Sequence, residues 1–399
     1  MTKELIQEIS ALQKELKLVL FLINMELTEE NISKNKELFS SVNWETFLEL
    51  VKHHRVYPLL YIKVKQINNG WIPDFIFNFL QEEYKKNTIR MLHICGEIEN
   101  LAGILSKEKI RTLYLKGPLL AHDLYGDISQ RTSCDIDILI EKDNLSRMDR
   151  ILQENGYIKD DYILTILNDW TWRHHHIAYY LPNKGIKLEI HWRLNPGPAK
   201  EPSFNELWKR RRKSELTSST LNILSREDLF FFLVTHGARH GWSRLRWLLD
   251  IKQIVLKALD YNKVLNILKK NQSLQMGGQA LLLVTELLNH SIPNELESIT
   301  FSKQSFQLSN NTLFYLKQMV NLHHDKLSIE VANFHKKYLF QLLTGKQKII
   351  YLLSLLYPFP VDAETLPLPK FLHFLYFPLR PFLMAWRRTR KCYYREELK

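Results

Sequence analysis

Residues 135–140 read Asp-Ile-Asp-Ile-Leu-Ile, so Ile136, Ile138 and Ile140 fall on one side of a β-strand and Asp135 and Asp137 share the other. A strand needs hydrogen-bonding neighbours, so this segment commits the chain to a sheet with one apolar face and one face presenting two carboxylates. Two acids side by side on a covered face carry a desolvation cost, which a bound cation offsets. Mg²⁺, held by one or two carboxylates together with substrate phosphates, suits such a position. The other reading is a solvated strand face, with Asp135 as a turn residue after Ser133.

A second alternating segment follows. In residues 187–192, Lys187, Glu189 and His191 alternate with Leu188, Ile190 and Trp192, adding a third carboxylate to a polar strand face. Three acids are enough to hold two metal ions. The preceding residues 175–181 and the turn Pro182–Gly185 make this a β-hairpin. If Leu181 pairs with Ile186, Ala178 lies opposite Glu189 and His176 opposite His191. A small residue beside Glu189 leaves room for a metal. A slip of one residue would place Tyr179 or Ile177 there instead.

Around these strands the chain is mostly helical. Residues 1–108 carry helical periodicity with breaks at Asn68-Asn69-Gly70 and Pro73. Residues 109–200 alternate strand and helix signals, including a helix closed by Gly156. The segment 195–203, Asn-Pro-Gly-Pro-Ala-Lys-Glu-Pro-Ser, marks a boundary, and 201–356 are helical again, with Ser225 and Asp228 forming an acidic variant of the capping box. Residues 357–399 form an aromatic and basic tail. The expected class is α+β: a small mixed β-sheet core flanked by N-terminal and C-terminal helical regions.

Three cysteines, Cys95, Cys134 and Cys392, are too few and too far apart for a disulfide framework or a metal knuckle, which fits a reducing compartment and points to the cytoplasm. The first 25 residues carry charges throughout and lack the pattern of a signal peptide. A net charge of +12 favours polyanionic partners such as nucleotides, nucleic acid or anionic lipid without choosing among them.

Upstream of the acids, Lys116 and Gly117 end a short apolar run just before a helix, where backbone N–H groups and the positive helix terminus suit a phosphate. A plain strand-to-helix turn accounts for Gly117 equally well. In the connecting loop 126–133, Arg131 can reach a triphosphate or stay solvated, with Thr132 and Ser133 beside it.

Taken in order, LKGPLLAHDLYGDISQRTSCDIDILI, a helix ending ENGY, and LEIHW resemble the uncharacterised nucleotidyltransferase family of the polymerase-β-type superfamily. The resemblance includes VNWETFLELVKHHRVYPLL and HGARHGWSRLRWLLDI and runs from about residue 40 to 260. It implies transfer of a nucleoside monophosphate from an NTP, ATP first among them, to a hydroxyl of a small-molecule or peptide acceptor, with release of pyrophosphate. By motif, Asp135, Asp137 and Glu189 would be the catalytic and metal-binding residues for two Mg²⁺ ions. Lys116, Gly117, Arg131 and Ser133 would contact the nucleotide. The chain departs from the superfamily pattern at Pro118, where a serine usually follows the glycine and offers its hydroxyl to phosphate. The departure supports a second reading, a nucleotide- or nucleic-acid-binding module that keeps the fold without turnover.

Three further segments carry open readings. His236 and His240 lie four apart, followed by Arg244, Trp247 and Asp250. The resemblance hints that His240, Arg244 and Trp247 face the nucleotide, with Trp247 stacking on a base. Plain packing, with an Arg246–Asp250 ion pair, is the alternative. The basic run 209–213 suits an anionic acceptor or a solvated helix face. Residues 371–386, rich in Phe, Leu and Trp and followed by Arg387, Arg388, Arg390 and Lys391, suit peripheral contact with an anionic membrane. Packing of those aromatics back onto the helices is the favoured reading.

Overall fold

The computed structural model describes residues 2–26, 28–66, 70–161, 163–322 and 327–396. The side chains of Thr2, Lys3, Arg388 and residues 390–396 fall outside that description, as do Asn68 and Asn69 of the first helical break. Arg390, Lys391 and Cys392 are therefore placed by backbone alone.

Among the described residues, seven strands form one mixed sheet: β1 Thr112–Tyr114, β2 Asp135–Ile140, β3 Ile158–Lys159, β4 His176–Leu181, β5 Ile186–His191, β6 Arg212–Ser214 and β7 Leu221–Ile223. Their order across the sheet is β3-β4-β5-β2-β1-β7-β6. β4 and β5 form the expected hairpin in the expected register, with Ala178 opposite Glu189 and His176 opposite His191. β2 and β5 run parallel, and their register sets Asp137 beside Glu189 and Asp135 beside Lys187. The two acidic segments are thus neighbours in the sheet, a placement their separate patterns do not contain.

Alternation decides which face each residue meets. Ile136, Ile138, Ile140, Leu188 and Ile190 turn to one side and pack on Ile94, Ile98, Leu101 and Leu105 of the helix Asp74–Lys107. The spacing of four, three and four residues keeps those side chains on one helical stripe. The same apolar layer includes Met148, Ile151 and Leu152 of the helix Leu145–Glu154. Asp135, Asp137, Glu189 and His191 are left on the opposite face, which the helix Arg226–Arg239 covers through Phe232 and His236.

The two helical regions are not separate bodies. Leu16, Leu18, Leu22 and Phe47 from the N-terminal side, and Phe230, Leu281 and Leu313 from the C-terminal side, belong to one apolar core that also takes in Leu113 and Leu139 of the sheet. Asn24 Nδ2 donates to the Leu287 carbonyl at 2.8 Å across that seam. The sheet also continues past the Pro-Gly segment, because β7 runs parallel to β1 and β6 completes the edge. Strands of three residues are too short to show a period in sequence.

The expected packing of 371–386 onto the helices holds only in part. Tyr376 is buried, and Arg380 is buried on the Asp362 carboxylate, which Arg387 also meets at 2.7 Å. Phe371 and Phe382 are 76% and 73% exposed, and Phe374 and Trp386 are exposed beside them. Tyr376, Arg380 and Arg387 anchor the helix Tyr376–Glu396, while Phe382 on the same helix faces solvent. Among the described residues, no helix is long and apolar enough to cross a membrane.

Candidate active site

The polar face is organised around Asp137. Its carboxylate is completely buried, and Oδ1 receives both Lys116 Nζ and His191 Nε2 at 3.1 Å. Lys116 arrives from the end of β1, and Gly117 follows with a positive φ of 78°, the left-handed region that glycine enters without penalty. That turn lets the chain reverse into the helix Pro118–Tyr125, with Pro118 at its first position where no N–H is needed. Lys116 is thereby aimed at β2, one strand away.

Glu189 sits beside Asp137 on β5. Lys187 Nζ lies 2.7 Å from its Oε1, while His191 Nε2 and His176 Nε2 lie 3.5 and 3.8 Å from its Oε2. Burial on its own would raise the Glu189 carboxyl, but the His191 hydrogen bond and the charges of His191 and Lys116 overcome that and hold it far below the usual carboxylate range. Burial would likewise lower His191, yet its bonds to Asp137 and Glu189 keep its pKa above the ordinary value. For Lys116 and Lys187, the acids outweigh desolvation and raise both amines. His175 and His176 go the other way. Burial keeps both neutral and takes His176 to about 3.

Asp137, Glu189 and His191 each offer an atom within 4.8 Å of the others. Asp137 Oδ2 is buried with no hydrogen-bond partner. An orphaned carboxylate oxygen facing another carboxylate and an imidazole fits a divalent cation. Asp135 stands one pleat away, half-buried, and Ser133 Oγ donates to its Oδ1 at 3.3 Å. Asp135 is not among the three groups that converge.

The loop leading into β2 is fixed from several sides. Asn87, buried in the long helix, donates to the Ser129 carbonyl at 2.9 Å, and Asp127 accepts from the Ser129 N–H at 2.8 Å. Arg131 does not lie open to solvent. It is buried, and its guanidinium forks onto Asp250 at 2.8 and 2.9 Å, where Tyr125 O–H also donates at 2.9 Å. The expected Arg246–Asp250 pair is replaced by this one, because Arg246 is drawn to Thr132, donating to its carbonyl and hydroxyl. Thr132 lies two residues before Cys134 at the mouth of β2, so both arginines brace the strand that carries the acids.

The helix Arg226–Arg239 does turn polar groups toward the sheet: the Lys116 charge acts on His236, and burial takes His236 well below its ordinary pKa. Trp247 is buried, with His236 and His240 at ring distances of 5.6 and 5.4 Å and the Arg244 guanidinium 5.6 Å from its ring. Arg244 is buried as well, donating to Asn321 Oδ1 at 3.3 Å. These three residues form a packed group rather than an open platform. The three arginines of the basic run 209–213 are similarly committed, with Arg210 forking onto Asp228, Arg212 onto Asp123 and Arg211 meeting Asn222, while Lys209 and Lys213 are exposed.

Sequence reasoning passed over His191, His175 and Arg239 as site residues. His191 was detectable, since it is two residues from Glu189 on the same strand face. Arg239 was not, because only the packing of its helix across the sheet brings Nη1 to 3.2 Å from His175 Nε2.

Residues 40–289, more than half of the chain, match the family described as uncharacterised nucleotidyltransferase. Among solved structures, an antigenic nucleotidyltransferase-like protein from Paracoccidioides brasiliensis is similar over 49% of this chain and 92% of its own, at 16% identity and a TM-score of 0.28. No curated protein matches by sequence. The match across both the acidic strands and the helices that cover them places this chain in the uncharacterised nucleotidyltransferase family.

Proposed function

We propose that this protein transfers a nucleoside monophosphate from an NTP, ATP first among them, to a hydroxyl of a small-molecule or peptide acceptor. The observation that carries the reading is the Asp137 carboxylate, buried beside Glu189 with one oxygen unpartnered, on a face that also carries Lys116, Lys187 and His191. Asp137 and Glu189, with Asp135 or His191 completing the set, would hold Mg²⁺. Such an ion supplies charge neutralisation for the triphosphate and for the departing pyrophosphate. One ion has a ready set in Asp137, Glu189 and His191, and a second would draw on Asp135.

The residues divide the remaining work. Lys116 and Lys187 are protonated amines at the carboxylates, placed to receive phosphate oxygens. Glu189 is held ionised and can accept the O–H of the acceptor, orienting its oxygen toward the α-phosphorus. As the new bond joins that oxygen to the α-phosphorus, its proton passes to the Glu189 carboxylate, the bond from the α-phosphorus to the α,β-bridging oxygen breaks, and pyrophosphate leaves with that oxygen. With Pro118 in place of a hydroxyl, the amine of Lys116 and backbone N–H groups of the helix start are the phosphate donors on this side.

The test is Mg²⁺-dependent label transfer and pyrophosphate release from each of the four NTPs, wild type beside Asp137→Ala, with cell extract as acceptor source. Transfer that vanishes in the variant supports the reading. Tight NTP binding without transfer from any extract would replace it with a binding module. The exposed aromatic row around Phe371 and Phe382 favours an additional role for the tail, peripheral contact with an anionic membrane. A cytoplasmic location accords with this reading.

A further inference from the structure

An open cavity of about 380 Å³ lies where the chain leaves β5. Residues 195–200 form one wall, and the helices Leu274–Leu288, Ile329–Gln341 and Gly345–Ser354 form the others. Its volume is that of a small-molecule site, and its walls are mostly carbon, from Met276, Leu339, Leu342, Leu343 and Tyr351. The wall from 195–200 continues the strand that carries Glu189 and His191.

Arg239 both lines this cavity and touches His175 beside the catalytic face. Its Nη1 meets His175 Nε2 at 3.2 Å, and the His175 ring stands 4.4 Å from His176 and 5.6 Å from His191, the two histidines that reach Glu189. The other recorded partner of its guanidinium is His236 Nδ1 at 3.4 Å. No described carboxylate forms an ion pair with Arg239, and its Nε is buried with no hydrogen-bond partner. The Glu189 and Glu201 charges act on Arg239 without pairing with it, and a cation between an apolar chamber and a catalytic face, hydrogen-bonded only to two imidazoles, is complementary to an anionic group.

We infer that this cavity binds the acceptor, and that the acceptor is an amphiphile whose apolar body fills the chamber while an anionic group, such as a carboxylate, pairs with Arg239. The inference rests on the transfer reading above and names its substrate class. An anion held at Arg239 sets the near end of the acceptor against the histidines that flank Glu189, which is where a hydroxyl must arrive. The chamber wall supplies affinity through burial of apolar surface, and Arg239 supplies choice of head group.

Calorimetric titration of the full chain with decanoate and with decanol tests this, in wild type, Met276→Trp, Leu339→Trp and Arg239→Gln, each checked for a native near-ultraviolet dichroism spectrum. Decanoate is expected to bind wild type at least tenfold more tightly than decanol. Arg239→Gln should bring the two within about twofold, and whichever tryptophan variant folds should weaken both at least tenfold. Absence of decanoate binding, or affinities unchanged by filling the cavity, overturns the site. An unchanged ratio in Arg239→Gln overturns the head-group assignment. Decanoate binding needs no nucleotide, so the same titration in Asp137→Ala separates the two readings. Asp137-dependent transfer without decanoate binding sinks the cavity alone. Decanoate binding without any NTP transfer ends its role as acceptor site and the transferase reading together.

Discussion

The Arg131–Asp250 pair offers the sharpest test of how the acidic strand is held. Both side chains are fully buried, at 2% and 0% exposure, and join through two hydrogen bonds of 2.8 and 2.9 Å. Removing one partner of such a pair leaves a buried charge uncompensated, at a cost of about 3–5 kcal/mol. Asp250→Leu should therefore lose roughly that much, and somewhat more because the Tyr125 hydroxyl also loses its acceptor. Arg131→Met should lose a similar amount. The double variant should lose far less than the sum, giving a coupling of about 3 kcal/mol, since no lone charge remains. The parallel cycle of Asp250→Leu with Arg246→Met should couple by less than about 1 kcal/mol, because Arg246 donates its hydrogen bonds to Thr132 and none to Asp250. Urea unfolding followed by both far-ultraviolet dichroism and tryptophan fluorescence measures all five variants, and coincident curves license the arithmetic. Equal or larger coupling at Arg246 would refute the assignment of Asp250 to Arg131, and with it the account of how the loop before β2 is braced.

Three further outcomes follow from other parts of the chain. A Cβ at Gly278 would lie 2.1 Å from the Ile299 carbonyl oxygen, so Gly278→Ala should destabilise by about 1–3 kcal/mol despite the better helix former. Gly96→Ala, with nothing within 4 Å, should gain up to about 1 kcal/mol, and equal urea midpoints for the two would contradict the packing. Burial would raise the Glu97 carboxyl, but Lys184, Tyr157 and Asn100 bond to it and hold it below the usual range. Its contribution is then present above the unfolded value of about 4.3 and fades as pH falls toward the lower folded value. Wild type should exceed Glu97→Gln in urea midpoint at pH 7 and converge on it between about pH 5 and 3. Parallel profiles would show that Glu97 is not held ionised by its partners. For the tail, co-sedimentation with phosphatidylserine vesicles should fall severalfold when Phe371, Phe374 and Phe382 are changed together to serine, with no loss of thermal stability, given their exposure. Unchanged sedimentation would remove the membrane role.

Much of this protein is legible locally. The alternation of 135–140 and 186–191 fixes two strands and the face of every residue in them, because a pleated strand leaves a side chain no other choice. The four-residue turn Pro182–Gly185 then fixes the hairpin register and the place of Ala178 opposite Glu189. What lies between elements distant in sequence is not encoded in any local period. The pairing of β2 with β5 that sets Asp137 beside Glu189, the capture of Asp250 by Arg131 instead of Arg246, and the burial of Trp247 among histidines all depend on which helix crosses which strand. A charge four residues away is a modest attraction on an exposed helix. Once the site is buried, desolvation leaves room only for the partner with the best geometry, and tertiary packing chose one 119 residues away.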